Sequence, residues 1–251
     1  MIALLNTPFS ELLNSIPSAK TVVIGLLLSG LWTGGLLAGA GYLKSRKGWK
    51  TGYTRKLFHF GVFGTVFVVN GFYGIPEVCL VGAMTTAVII LAVVCGEGHP
   101  LYEALAREKD APHRTRYIIE PYVATLMGGV LVNLFFPETA QLGYLVAGLG
   151  DAVAEPVGTR FGRHRYRVPT LDGTLAERSL EGSASVWIVS SLSLCLYLCG
   201  SAPLTVTTGV VVLMIASLST FAEAISPHGW DNAVLQILPA WLGAVMIPVT
   251  G

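Results

Sequence analysis

The sequence predicts an all-α polytopic membrane bundle of seven or eight transmembrane helices with a polar site at its cytoplasmic surface. Three observations carry this: an apolar composition, a series of hydrophobic stretches, and basic residues confined to alternate loops. Of 251 residues, 53% are hydrophobic and 12% charged, with a mean hydropathy of +0.64, whereas soluble domains are about a quarter charged. A spanning helix takes about 20 mostly apolar residues. Eight stretches approach that length: Thr21 to Leu43, Leu57 to Tyr73, Val78 to Val94, Ile118 to Phe136, Leu142 to Val157, Ser183 to Leu198, Leu204 to Phe221 and Val234 to Val249. Several are short and the fifth is broken by acids, which leaves the count at seven or eight.

Charge placement tests the count, because Lys and Arg collect in short cytoplasmic loops while Asp and Glu say little about orientation. Lys44, Arg46, Lys47, Lys50, Arg55 and Lys56 fall between stretches one and two, and Arg107, Lys109, Arg114 and Arg116 between three and four. Arg160, Arg163, Arg165, Arg167 and Arg178 fall between five and six, leaving Lys20 as the exception. These loops, with the "EAISPHGWDN" turn before the last stretch, are therefore placed in the cytoplasm. A net charge of +1 argues against nucleic acid as a partner, which calls for a basic face on a soluble domain.

Along the chain, residues 1–19 are too short and broken to span and read as a lead-in on the outer side, with residues 20–251 as one transmembrane catalytic domain. The first stretch has neither a basic flank nor a cleavage site before it, so it reads as a span rather than a removable signal. Gly30, Gly34, Gly35, Gly39 and Gly41 within it suit close helix packing. The second stretch opens with Arg55, Lys56 and His59 on one face, either as a positive anchor with snorkelling side chains or as part of a site. "EGHPLYEALAREKDAPHRTRY" mixes both signs and reads as a solvated connector. Cys79, Cys95, Cys195 and Cys199 all fall within or at the ends of these stretches, and Cys195 and Cys199, on one helical face, read as buried small apolar residues rather than a metal pair.

The fifth stretch carries Asp151 and Glu155. A carboxylate at membrane depth costs about 2.5 to 3.5 kcal/mol on insertion scales and is functional unless paired. At i and i+4 the two share a helical face if the helix persists, and Pro156 is expected to end or kink it. Their mutual repulsion favours a divalent cation, and hard oxygen ligands with room for water and phosphate suit Mg2+. Gly158 and Gly162 allow close backbone approach, and Arg160, Arg163, Arg165 and Arg167 offer forked donors to phosphate. For any one arginine, pairing to the acids or setting topology explains as much. "ERSLEGSAS" adds Arg178, Ser179, Glu181 and Gly182 before the sixth stretch, with Ser183 as the expected helix cap. Glu223 then ends the seventh, and Asp231 with Asn232 precedes the eighth, where either could cap the helix. P-loop, protein-kinase, H-E-x-x-H and G-x-S-x-G patterns are all missing.

"GDAVAEPVGTRFGRHRYRV", "RSLEGSAS" and "EAISPHGWDN", together with the R-K-x-x-H run Arg55, Lys56 and His59, resemble the polyprenol kinase family: dolichol, phytol and farnesol kinases and a CTP-dependent diacylglycerol kinase. The resemblance runs from about Arg55 to the C-terminus. It implies phosphoryl transfer from a nucleoside triphosphate, typically CTP, to the hydroxyl of a membrane lipid: an isoprenoid alcohol such as phytol, dolichol or another polyprenol, or diacylglycerol. By position, Asp151 is then the principal acid at the metal and triphosphate, with Gly150, Gly158 and Gly162 shaping its loop. Arg178 and Ser179 would contact phosphates, and Asp231 with Asn232 would complete the site. Asp151, Glu155, Glu223 and Asp231 are the candidate Mg2+ ligands, and Asp151, Glu155 or Asp231 the candidate base. A more distant similarity is to CDP-diacylglycerol synthase, which also uses CTP but normally ends in a D-R pair where this chain has Asp231 and Asn232.

Two alternatives stay open at this stage. One is cytidylyl transfer to a lipid phosphate, which would release pyrophosphate. The other, an anion transporter, ranks lower because transporter sites lie near the midplane of related halves, whereas these polar groups gather at one surface and no repeat is visible.

Overall fold

The computed structural model describes residues 17–170, 175–201 and 205–247. Ser18 starts the first helix, its Oγ accepting from the Thr21 amide at 3.2 Å, and Gly48 ends it at φ +68°, a left-handed conformation that a side chain would disfavour. Helix α1 runs Ala19–Lys47, and after three residues α2 runs Thr51–Phe72. Gly74, at φ +101°, turns the chain into α3, Ile75–Cys95. A single turn, α4 (Pro100–Glu103), precedes α5 (Arg116–Phe135). Then come α6 (Ala140–Leu145), a π-helical segment (Val146–Gly150) and α7 (Asp151–Phe161), followed by strands β1 (Arg165–Pro169) and β2 (Leu175–Ser179). Helices α8 (Leu180–Ser201), α9 (Val206–Ile225) and α10 (Asp231–Met246) complete the described chain.

This is an all-α polytopic membrane bundle. Among the described residues, five helices, α1, α3, α5, α8 and α9, are long and apolar enough to cross a bilayer. The three other predicted stretches differ for physical reasons. Helix α2 carries Arg55, Lys56 and His59 at its start, α10 has 16 residues, and the fifth rod is divided by the π segment and carries two acids. Residues such as Leu31, Phe72, Val94 and Leu196, each more than 70% exposed, cover the outside with the apolar surface a bilayer requires. The ends of the predicted stretches at Leu204 and Val249, and lead-in residues 1–16, lie outside the described residues.

Two apolar clusters form the interior. One joins Leu37, Phe58, Ile89, Tyr102 and Ile118 from α1 to α5; the other joins Phe63, Tyr144, Leu194, Ile215 and Leu235 from α2, α6, α8, α9 and α10. Helix α2 serves both, so polar residues at its start stand where the two halves of the bundle meet. Glycines admit some of the closest approaches: a Cβ on Gly143 would stand 2.3 Å from the Gln236 carbonyl oxygen, and one on Gly41 2.9 Å from that of Pro100. Gly35 and Gly39 face open space instead, so only part of the small-residue series in α1 is explained by packing.

Four local expectations are corrected. Pro156 does not end the helix, because α7 continues to Phe161, and an irregularity lies upstream in the π segment; π turns inside helices displace the regular hydrogen-bond ladder. The loop after α7 is an antiparallel hairpin, Arg165 opposite Ser179 and Arg167 opposite Glu177, which pairs the backbone groups of its two strands with each other; residues 171–174 of that loop lie outside the described ones. Ser179, not Ser183, caps α8, its Oγ accepting from the Gly182 amide at 3.1 Å. Of the pair read as buried, Cys199 is exposed and Cys195 half-buried.

Candidate active site

The helical spacing of Asp151 and Glu155 turns both toward the first turn of α2. Lys56 Nζ lies 2.5 Å from Asp151 Oδ2, and Arg55 Nη2 donates to Glu155 Oε2 at 2.8 Å. His59 follows one turn later, its Nε2 2.9 Å from the Ala147 carbonyl oxygen of the π segment and 3.5 Å from Asp151. With Lys56 at 8% and Asp151 at 3% exposure, Arg55, Lys56 and His59 point inward, which removes the snorkelling reading. The acids take their counter-charges from α2 and, for Glu155, from Arg107 as well, not from the arginines that follow them in sequence.

The segment read as a solvated connector is the opposite wall. Tyr102, Ala104, Leu105 and Ala106 are buried against the α1–α3 side, because four apolar residues in this short run have nowhere else to go. Their burial carries Arg107 inward, where it is 6% exposed. Arg107 bonds Asp110 at 2.7 Å, Glu155 at 3.1 Å and His228 Nε2 at 2.8 Å. Since a guanidinium only donates, His228 Nε2 accepts and the ring is neutral. Burial chiefly, with Arg107 nearby, holds His228 down to about 4, against the pull of Asp231 in the other direction. Sequence reasoning missed Arg107 and His228; the apolar run immediately before Arg107 was the available signal.

A second set of acids is gathered by Arg178, at the end of the hairpin. Its Nε lies 3.3 Å from Glu223 Oε1, its Nη2 donates to Asp231 Oδ2 at 3.0 Å, and its Nη1 bonds the Glu223 carbonyl oxygen. Ser183 donates to Glu223 at 3.4 Å. Loops from four parts of the chain thus meet at one end of the bundle, around a cleft of about 1120 Å³ lined by residues that include Lys56, Arg107, Asp151, Arg178, Glu223 and Asp231. Glu155, Lys109, Arg165, Gly158, Ser179 and Gly182 also face it.

The remaining predicted residues are elsewhere. Arg160 is exposed, its guanidinium 5.4 Å from the Phe161 ring centre, and Arg163 is exposed as well; neither lines the cleft. Glu181 accepts from the His164 ring at 2.8 Å. Gly150 meets α8, where a Cβ would stand 2.4 Å from Ser190 Oγ, and Gly162 packs on Ser179. Asn232 ties α10 to α5, donating to Thr125 Oγ1 at 2.8 Å and to the Pro121 carbonyl at 3.2 Å. Arg167 is exposed on β1.

Among the described residues, no three His, Cys, Asp or Glu side chains form a group that could hold a metal unaided. Mg2+ usually takes one or two carboxylates and completes its shell with phosphate oxygens and water. Glu223 stands within electrostatic reach of both Asp231 and Asp151, so these acids fit an ion that arrives with a triphosphate. Chemically, the cleft presents buried carboxylates beside fixed cations, the equipment for binding polyphosphate and taking up a proton.

No family model matches the chain, and no solved structure matches it. It is 30% identical over 196 residues, 77% of this chain and 80% of the relative, to a phytol kinase from Synechocystis sp.. At that identity and coverage, the chain belongs to the polyprenol and phytol kinase family of lipid-alcohol kinases.

Proposed function

We propose that the protein transfers the γ-phosphoryl group of CTP to the hydroxyl of an isoprenoid alcohol in the bilayer, with phytol, the alcohol in its relative's name, as the first candidate acceptor. The observation that carries this reading is the meeting of Asp151, Glu223 and Asp231 with Lys56, Arg107 and Arg178 in one cleft at the end of an apolar bundle. Phosphoryl transfer needs positioning and charge neutralisation above all. Lys109, and Arg165 with its exposed partner Glu177 at 3.3 Å, are cations at the cleft available to the triphosphate. Arg178 positions Glu223 and Asp231 through its three bonds.

The alcohol oxygen bonds to the γ-phosphorus as the bond to the β–γ bridging oxygen breaks, releasing CDP, and an acid takes the hydroxyl proton. Asp231 is favoured as that base because Glu155 is held by two arginines and Asp151 by Lys56 with His59 close by, whereas Asp231, among the described residues, has one cationic partner, Arg178. Mg2+, held by Asp151 and Glu223 with phosphate oxygens, would supply charge neutralisation on the triphosphate. The orientation that goes with this reading has the cleft facing the cytoplasm, the side on which basic loops collect.

The test is purified protein with CTP or ATP against phytol, a long polyprenol and diacylglycerol. Phytyl phosphate and CDP are expected from the first pairing, with loss of turnover in Asp151→Asn and Asp231→Asn. Turnover that survives in both variants would sink the assignment of the cleft.

A further inference from the structure

The polar cleft has a continuation. A small cavity of about 100 Å³ shares Arg55, Lys56, His228 and Asp231 with it. On its other side the same cavity shares Val62, Phe63, Thr85, Tyr122 and Thr125 with a groove of about 800 Å³ between α2, α3 and α5. Not one Asp, Glu, Lys, Arg or His lines that groove among the described residues. The small cavity is thus a neck, polar at one end and apolar at the other, and a bond between the Thr86 and Tyr122 hydroxyls ties α3 to α5 beside it.

We infer that this groove holds the hydrocarbon chain of the acceptor, a single unforked chain whose hydroxyl passes the neck to Asp231; this rests on the kinase reading above. Length supports it. From Lys56 at the neck to Tyr73 at the far end, α2 advances 17 residues, about 26 Å at 1.5 Å per residue, most of a hydrocarbon core of about 30 Å. Volume supports it too, because about 300 to 1,000 Å³ is the range of pockets that enclose one small ligand. The neck's small volume, about 100 Å³, suits a slender hydroxymethyl end better than a glycerol backbone bearing two esters. Gly82 and Ala83 line the groove, and a Cβ on Gly82 meets nothing within 4 Å, so this is a place from which an added side chain can narrow it.

The experiment pairs labelling with turnover. A long-chain isoprenoid alcohol carrying a photoreactive group at its tail is irradiated with the full-length protein, and the labelled peptides are mapped. Labels are expected between residues 74 and 86 and between 122 and 134, and Gly82→Phe or Ala83→Phe should abolish them. In turnover, either variant should lower the ratio of kcat/KM for a long-chain over a short-chain alcohol by about tenfold or more, since each methylene forced out of an apolar site costs about fourfold in affinity. Val210→Phe, on the exposed face of α9, should leave that ratio unchanged. Labels spread over the outer helix faces, or a ratio unmoved in both groove variants, would overturn the inference. Groove labelling in a protein that transfers no phosphate would instead uphold the groove and remove the kinase reading.

Discussion

Replacing Lys56 by methionine removes the ammonium 2.5 Å from Asp151 while keeping the length of the side chain. Both side chains are nearly inaccessible, at 10% and 5% exposure, so solvent cannot take over the lost charge, and His59 at 3.5 Å is the nearest substitute. Leaving one partner of a buried pair uncompensated costs about 3–5 kcal/mol. For a chain of this size each kcal/mol moves the melting midpoint by about 2–4 °C, so Lys56→Met should melt roughly 6–20 °C lower. The added change Asp151→Leu should recover most of that loss, because a dry apolar pair of similar volume is often as stable as the ion pair, yet it should leave no kinase activity. The assay is thermal unfolding of detergent-purified protein followed by tryptophan fluorescence, run as a four-member double-mutant cycle. A coupling energy below about 1 kcal/mol, the value of an exposed pair, would refute the argument that these charges are sealed together.

Arg160→Ala and Arg163→Ala should each change KM for CTP by no more than about twofold, as exposed substitutions away from the cleft do; Arg178→Ala should lower kcat/KM by about 100-fold or more, equivalent to about 2.7 kcal/mol. Gly143→Ala should destabilise by about 1–3 kcal/mol, as overpacking does, because its Cβ would meet backbone at 2.3 Å, whereas Gly35→Ala, with nothing within 4 Å, should be neutral or stabilising; melting midpoints check both. His228, at about 4 in the fold against 6.5 when free, stays neutral in the folded protein while the unfolded chain protonates. Stability should therefore be undiminished above pH 6.5, fall as pH drops from 6.5 to about 4, and level off below, with up to about 3 kcal/mol at stake from this ring. His228→Gln should flatten that part of the profile, measured by chemical unfolding between pH 4 and 7.

Asp151 and Glu155 were legible in the sequence because a carboxylate in an apolar stretch is costly enough to need a reason, and their shared helical face followed from spacing alone. Their partners were not. Whether Lys56 faces lipid headgroups or Asp151 depends on how α2 is rotated against α7, which no local pattern encodes. Arg107 was hidden for a related cause, since the burial of Tyr102 and Leu105 comes from packing between distant helices. Adjacency in sequence also drew Arg160 and Arg163 toward the acids; the uninterrupted turn through Pro156 carries them past the cleft instead. Arg178, Glu223 and Asp231 were each legible as polar residues at span ends, but their joining through one guanidinium was a matter of tertiary structure.

The fate of labelled CTP tests the central claim most directly. With phytol or another lipid alcohol and CTP labelled separately at its α- and γ-phosphorus, the γ-label should appear in the lipid and the α-label in CDP. An α-label in the lipid fraction, with the γ-label released as pyrophosphate, would contradict a kinase and identify cytidylyl transfer.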